Sequence, residues 1–414
     1  MAEGERAVLR NLGLLATCRP AGPQGEIHTI PAAAVAWEGD TIAWVGPERD
    51  LPAAWRGAGA IDAGGGLVVP GLVDCHTHLA FGGWRGDEFE QRILGASYLD
   101  IARRGGGIAS TVARTRAASD DELLARCRAH LSGMRALGVT TVECKSGYGL
   151  DLATELRLLR LYARLAREGP TRIVPTLLGA HVVGPEFRER REAYVAVVIE
   201  EMIPQAASEK LARFCDVFVE ETAFSVDEAR RILRAGQAAG LRAKLHADQL
   251  SDGGGAALAA ELGAASADHL EHISGEGIAA MAAAGVTAVS LPFASLYLAQ
   301  PAMPARRLME AGVPVGVATD FNPGSAPSWH LPFAMTLACI LQRMTPAEAL
   351  KGATIVAARA IGLEHEVGSV EAGKRADLAV IDEPDVNHWL YHLRPNACRR
   401  TILGGRSVWE APDA

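Results

Sequence analysis

The stretch Val68-Val-Pro-Gly-Leu-Val-Asp-Cys-His76-Thr-His78 runs from an apolar segment of strand type into two histidines one residue apart. In a strand, side chains at i and i+2 share a face, so both imidazoles project together from its end. Two imidazoles on one side of a rigid element are half of a metal site. Further chemistry-bearing residues recur where other β-type runs end. These are Lys145-Ser-Gly-Tyr148, Gly179-Ala-His181, Lys244-Leu-His246-Ala-Asp-Gln249, Ala267-Asp-His269 and Asp320-Phe-Asn322-Pro-Gly324-Ser325. Of the twelve histidines, five fall at such ends, which chance placement would not produce. His76, His78, His246 and Asp320 together make a donor set suited to zinc, with iron an alternative. Such an ion lowers the pKa of a bound water from 15.7 towards roughly 7. Asp320 can then both hold the ion and accept the water's proton. His269, one strand beyond His246, can orient the nucleophile or polarise a carbonyl.

The elements that must carry these residues alternate regularly from about residue 67 to 360. Short β-type runs cover Leu67–His76, Thr140–Cys144, Arg172–Leu177, Asp216–Val219, Ala243–His246, Ala265–His269, Thr287–Leu291 and Val313–Ala318. Helical patterns lie between them, at Asp120–Leu137, Leu152–Arg167, Val226–Ala239 and Gly275–Ala284. Gly138, Gly240, Gly263 and Gly285 follow helical stretches as C-terminal caps, and Ser225 with Glu228 forms a capping box. Eight strands alternating with helices predict an α/β fold, a (β/α)8 TIM barrel, ahead of an open doubly wound sheet. Residues 1–66 and 361–414 read differently, as short alternating strands with turn residues. Neither end can bury a core alone, so the two are expected to pair as one small β-sandwich domain beside the barrel of residues 67–360.

Composition removes several function classes. With 414 residues, 49% hydrophobic, 22% charged and a net charge of −8, the chain reads as a soluble globular protein without a nucleic-acid face. Seven scattered cysteines, odd in number and without a Cys-x-x-Cys pair, predict reduced thiols. No apolar stretch reaches the roughly 18 residues of a membrane span, and no leader pattern opens the chain, so the expected location is cytoplasmic with no membrane partner. The run Arg103-Arg-Gly-Gly-Gly-Ile-Ala-Ser lacks the Gly-Lys-Ser/Thr ending of a phosphate loop. A cover over the barrel mouth is the better expectation.

Pro70-Gly-Leu-Val-Asp-Cys-His-Thr-His, with distant His246, His269 and Asp320, resembles the amidohydrolase superfamily of metal-dependent barrel hydrolases. Within it, nearly the whole chain is similar to the imidazolonepropionase family. The sharpest matches are Gly95-Ala-Ser-Tyr, Gly105-Gly-Gly-Ile-Ala-Ser-Thr-Val, Val142-Glu-Cys-Lys-Ser-Gly-Tyr-Gly-Leu, Leu178-Gly-Ala-His, Lys244-Leu-His-Ala-Asp-Gln and Asp320-Phe-Asn-Pro-Gly. The resemblance implies one Zn2+ or iron ion per subunit on His76, His78, His246 and Asp320. It also implies a substrate pocket of Arg85, Tyr148, His181, Gln249, Asn322, Gly324 and Ser325, and a homodimer. Phe321 and Ser325 stand where the family pattern has Cys and Thr, and Gln249 takes a position that holds Glu or Gln. A Gln cannot shuttle protons. Lys145 raises the alternative of a carboxylated lysine bridging two metals, as in other branches, but the four-ligand set favours one ion.

The implied reaction is hydrolysis of the cyclic amide of 4-imidazolone-5-propanoate to N-formimidoyl-L-glutamate, in histidine degradation. Asp320, His269, His181 and Gln249 are the expected catalytic group, with His181 or His269 polarising the ring carbonyl. Arg85, seven residues after His78, is the best-placed cation for the propanoate, and Tyr148 can add a hydroxyl. Two alternatives share part of this pattern. Another cyclic-amide hydrolase or nucleobase deaminase would use the same ligands without needing Arg85 and Tyr148 together. A barrel that had lost catalysis would lack a ligand, and all four are present.

Overall fold

The structure, a computed structural model, describes residues 5–96, 101 and 105–412. Five strands open the chain: β1 (Arg6–Ala16), β2 (Thr29–Glu38), β3 (Thr41–Pro47), β4 (Gly59–Asp62) and β5 (Leu67–Pro70). Eight follow in alternation with helices: β6 (Leu72–Asp74), β7 (Val139–Lys145), β8 (Arg172–Ala180), β9 (Phe214–Val219), β10 (Arg242–Ala247), β11 (Ser266–His269), β12 (Thr287–Ser290) and β13 (Val315–Val317). Three close it: β14 (Leu378–Ile381), β15 (Cys398–Leu403) and β16 (Arg406–Glu410).

Strands β6 to β13 form one sheet in chain order, and every pair is parallel. A parallel sheet covered by helices is buried on both faces. Every residue of β7, β9 and β11 is accordingly buried. The intervening helices start where the sequence says they should. Ser119 with Glu122 and Ser225 with Glu228 make complete capping boxes at Asp120–Ala136 and Val226–Ala238.

The seam between β6 and β13 closes the (β/α)8 barrel just beyond the strand ends. Thr77 bridges Phe321, the His78 amide donates to the Phe321 carbonyl at 2.8 Å, and the Asp320 amide donates to the His76 carbonyl at 3.0 Å. Thr319 adds its hydroxyl and amide to the buried Asp74 carboxylate at 2.6 and 3.1 Å. The bonds that close the barrel therefore also set His76, His78 and Asp320 side by side.

The terminal segments build one continuous sheet in the order β16-β15-β14-β5-β1-β2-β3, with β4 alongside β1. It curls over its own core of Leu9, Leu15, Val35, Trp37, Val380 and Ile402. The Trp37 indole N–H reaches the Gly405 carbonyl at the β15–β16 turn, so the two wings face each other as in a sandwich. The single strand expected over Leu67–His76 is two strands. Leu67–Pro70 pairs with β1 and β14 in the terminal sheet, and only Leu72–Asp74 enters the barrel. Gly71 stands at the break, where any Cβ would collide with the Thr140 side chain. The C-terminal segment also carries a helix, Val386–Tyr391, whose Leu390 carbonyl accepts from Thr336 of the barrel helix Leu331–Gln342. Of the motifs read in the sequence, Ser97, Tyr98, Arg103 and Arg104 lie outside the described residues.

Candidate metal centre and cavity

His76 and His78 leave the end of β6, His246 ends β10, His269 ends β11, and Asp320 follows β13. All five are buried. The His76 Nε2 and His78 Nε2 atoms each lie 3.4 Å from Asp320 Oδ1, and His246 Nε2 lies 3.5 Å from His78 Nε2. An ion with tetrahedral bonds near 2.1 Å needs donor atoms spaced by about 3.4 Å. His76 Nε2 is buried without a hydrogen-bond partner, the state of a nitrogen whose lone pair is reserved for something else. The donor set thus fits a metal ion. His269 borders the same point, its ring nitrogen within 4.8 Å of those of His76 and His246.

A layer beneath these imidazoles holds their orientation. His76 Nδ1 pairs with Asp268 Oδ2 at 2.6 Å, and His246 Nδ1 with Asp216 Oδ1 at 3.1 Å. A carboxylate on Nδ1 puts the proton there and leaves the Nε2 lone pair facing outward. Burial, the Lys145 charge and the neighbouring imidazoles hold His76 well below its ordinary pKa, so it is neutral as a ligand must be. Burial alone would raise the Asp320 carboxyl, but the His78 hydrogen bond and the charge of nearby imidazoles hold it below its ordinary value. His269 goes the other way. Burial lowers it, yet Glu271, 3.7 Å from Nδ1, together with the Asp320 and Asp268 charges, outweighs that and raises it.

Backbone conformation marks the same places. Asp320 (φ 55°), His269 (φ 81°) and Leu270 (φ 68°) are left-handed without being glycine. Such residues cost on the order of 1–3 kcal/mol each and persist where surrounding bonds over-determine them. Asn322 supplies one of those bonds, its Nδ2 donating to the Asp320 carbonyl at 2.7 Å. The Asn322 Oδ1 accepts from the Gly324 and Ser325 amides, both at 2.8 Å. Asn322 therefore shapes the loop as well as lining the cavity.

That cavity holds about 830 Å³ at the barrel mouth. His78, Arg85, Tyr148, His181, His246, Gln249, His269, Asp320, Asn322 and Ser325 all face it, so residues far apart in sequence are brought together. Gly324 contributes space and no wall. A Cβ there would collide with the Arg85 guanidinium. Arg85 is buried, its Nε and Nη1 make no hydrogen bond, and among the described residues its acidic neighbour is Glu88, 3.8 Å away. Gly106, Ile108 and Ala109 of the glycine-rich run border the cavity too, where a cover was expected. His181 Nδ1 lies 2.9 Å from the Gly147 carbonyl, which can only accept, so Nδ1 carries the proton. Burial keeps His181 well below its ordinary pKa, which leaves its Nε2 an acceptor.

The amidohydrolase family model matches residues 67–408. The chain belongs to the amidohydrolase family. Among individual relatives, the imidazolonepropionase of Anaeromyxobacter dehalogenans strain 2CP-C is 50% identical over 412 residues, covering 98% of this chain and 97% of that protein. The imidazolonepropionase of Symbiobacterium thermophilum is 50% identical over 92% of this chain and 90% of its own. That of Geobacillus kaustophilus is 47% identical over 92% and 91%. Solved structures share the fold. A triazine hydrolase variant has TM-score 0.77 at 17% identity, covering 98% of this chain and 95% of its own. A Xanthomonas campestris adenosine deaminase has TM-score 0.70 at 19% identity, covering 97% and 92%.

Several residues of this amidohydrolase site were given no role from the sequence. Glu143, Asp216, Asp268 and Lys244 lie inside buried strands, and a charged residue within an apolar strand is the signal that could have found them. Glu155 is another. Its buried carboxylate accepts from the Gly147, Gly149 and Leu150 amides at 2.7–3.2 Å and holds the Tyr148 loop. The aromatic Phe321 is accommodated by packing against Phe81, His130 and Trp329 at centroid distances of 5.7, 4.9 and 5.3 Å.

Proposed function

We propose that the chain hydrolyses the ring amide of 4-imidazolone-5-propanoate, as an imidazolonepropionase, with one Zn2+ or iron ion on His76, His78, His246 and Asp320. The observation that carries this reading is a buried donor set with three spacings of 3.4, 3.4 and 3.5 Å, in one cavity with a buried guanidinium whose Nε and Nη1 make no hydrogen bond. The ion, when bound, supplies an acidified water and an electrophilic contact for the ring carbonyl. Asp320 takes the proton of the attacking water and returns it to the ring nitrogen as the C–N bond breaks. His269, whose pKa is raised, donates a hydrogen bond to the carbonyl oxygen as negative charge develops there. His181 does the converse. Its Nε2 accepts from a ring N–H and so selects the tautomer and orientation of the ring. Gln249 positions substrate, and Tyr148 adds a phenol to the pocket wall.

Arg85 grips the propanoate through its planar fork. Charge-assisted hydrogen bonds are worth about 1.5–3 kcal/mol each. Arg85→Ala should therefore lower kcat/KM by about 10- to 100-fold, mostly through KM if ground and transition states are held equally. Arg85→Lys should recover only part, because a point charge lacks the fork. Gly324→Ala should imitate Arg85→Ala, since its new methyl displaces the guanidinium without touching its charge. An analogue with the same ring and no carboxylate should be a poor substrate and indifferent to all three changes. Should the parent protein prefer that analogue, the propanoate assignment fails and a hydantoin- or base-hydrolysing activity replaces it.

All seven cysteines are unpaired and, apart from partly exposed Cys339, buried, which supports a reducing, cytoplasmic setting. Among the described residues, no helix is long and apolar enough to cross a membrane. Exposed Ile340, Tyr391 and Leu393 offer apolar surface for the homodimer that the family resemblance implies. Sedimentation equilibrium should read twice the chain mass, and a single-chain mass at micromolar protein would refute it.

A further inference from the structure

Two lysines lie side by side under the metal centre, and both side chains are fully buried. Together they face three equally buried carboxylates, Glu143, Asp216 and Asp268. Burying charge is expensive, so each group needs a reason to be there beyond stability. The two lysines differ in what they touch. Lys145 Nζ donates to Asp216 Oδ2 at 2.6 Å and to Glu143 Oε1 at 2.9 Å, and stands 3.6 Å from Asp268 Oδ2. Asp216 and Asp268 are the carboxylates that hold His246 and His76 by their Nδ1 atoms. Lys244 Nζ donates to the Cys75 carbonyl at 3.1 Å, and its nearest carboxylate oxygens are 3.6 and 3.7 Å away.

We propose that Lys145 is a positioning residue for the metal centre: its ammonium holds, by a direct hydrogen bond, the Asp216 carboxylate that aims the His246 imidazole. The inference rests on the metal-site reading above. Lys145 Nζ bonds the far oxygen of Asp216, so its near oxygen stays aimed at His246 Nδ1. Asp268 Oδ2, which faces His76, lies 3.6 and 3.7 Å from Lys145 and Lys244, so the two ammonium groups share its charge balance. Without Lys145, the like charges of Glu143 and Asp216 are left facing each other in a low-dielectric interior, and the His246 imidazole loses its fixed aim. This role also conflicts with the bridging carbamate considered from sequence. A carboxylated Lys145 would place a fourth negative group among three carboxylates.

The test uses full-length apo-protein, titrated with Co2+ to read its visible ligand-field bands and with Zn2+ against a competing chelator. Loss of an outer partner typically weakens metal binding 10- to 100-fold. Lys145→Met should show that loss and an altered Co2+ spectrum, while its apo form still unfolds cooperatively. Lys145→Gln, which keeps a donor in the same space without charge, is read alongside in case the methionine variant does not fold. Lys244→Met should keep Zn2+ affinity within about threefold of the parent, whatever its melting temperature, because it holds no imidazole-bearing carboxylate at hydrogen-bond distance. A folded Lys145 variant with parental affinity overturns the inference, as does an equal loss in Lys244→Met. A parent protein that binds neither ion overturns the metal-site reading itself.

Discussion

Asp320→Asn is expected to lose turnover by far more than Gln249→Ala, although both side chains face the same cavity. The carboxylate of Asp320 sits 3.4 Å from two imidazole nitrogens, and its backbone is pinned by the His76 carbonyl and the Asn322 side chain. Its position is therefore set before substrate arrives. An amide in that place keeps the shape and can neither take nor return a proton. General acid–base catalysis contributes about 10²–10⁴-fold, and weaker metal binding adds to the loss. Gln249 has no proton to exchange, so its removal costs only the orientation of the substrate. Measuring kcat together with metal content for both variants separates the terms. Small, similar losses with the metal retained would show that the proton travels by another route.

Removing the metal is expected to abolish turnover while leaving the barrel standing. The donors sit at strand ends above a continuous apolar core that includes Leu158, Leu245, Val315 and Met335. The barrel seam is closed by backbone bonds and by Thr319 with Asp74, none of which needs an ion. Dialysis against a chelator should leave the far-ultraviolet circular dichroism nearly unchanged. The melting temperature should fall, because a ligand that binds only the native state stabilises it by mass action. Adding back zinc or iron should restore activity, and comparing the two identifies the better metal. Full activity in protein shown to be metal-free would sink the mechanism.

Much of the site is legible in the chain because local rules suffice for it. The i, i+2 period places His76 beside His78, capping boxes and glycines mark where helices begin and end, and barrel architecture sends every strand end to one mouth. Such signals live within a few residues of each other, and the eight β-type runs correspond to observed strands. Where the signal crossed a domain boundary, it misled. Leu67–Val73 is apolar throughout, so its hydrophobicity alone conceals that the chain passes at Gly71 from one sheet to another.

Tertiary structure alone decided which buried charges meet. Lys145 reaches Asp216 across 71 positions, His76 reaches Asp268 across 192, and Gly324 clears room for Arg85 through the seam between the first and last barrel strands. No periodicity encodes such partners, because they are neighbours only once adjacent strands are in register. Asn322 likewise reads as a polar residue near a substrate until the loop closes and both ends of its amide are spent on backbone and Ser325. By itself the sequence determined which donors exist and that they gather at one end of a barrel. Aim, spacing and charge balance came from closure, since only the packed sheet sets donor atoms at the few-ångström separations on which coordination and ion pairing depend.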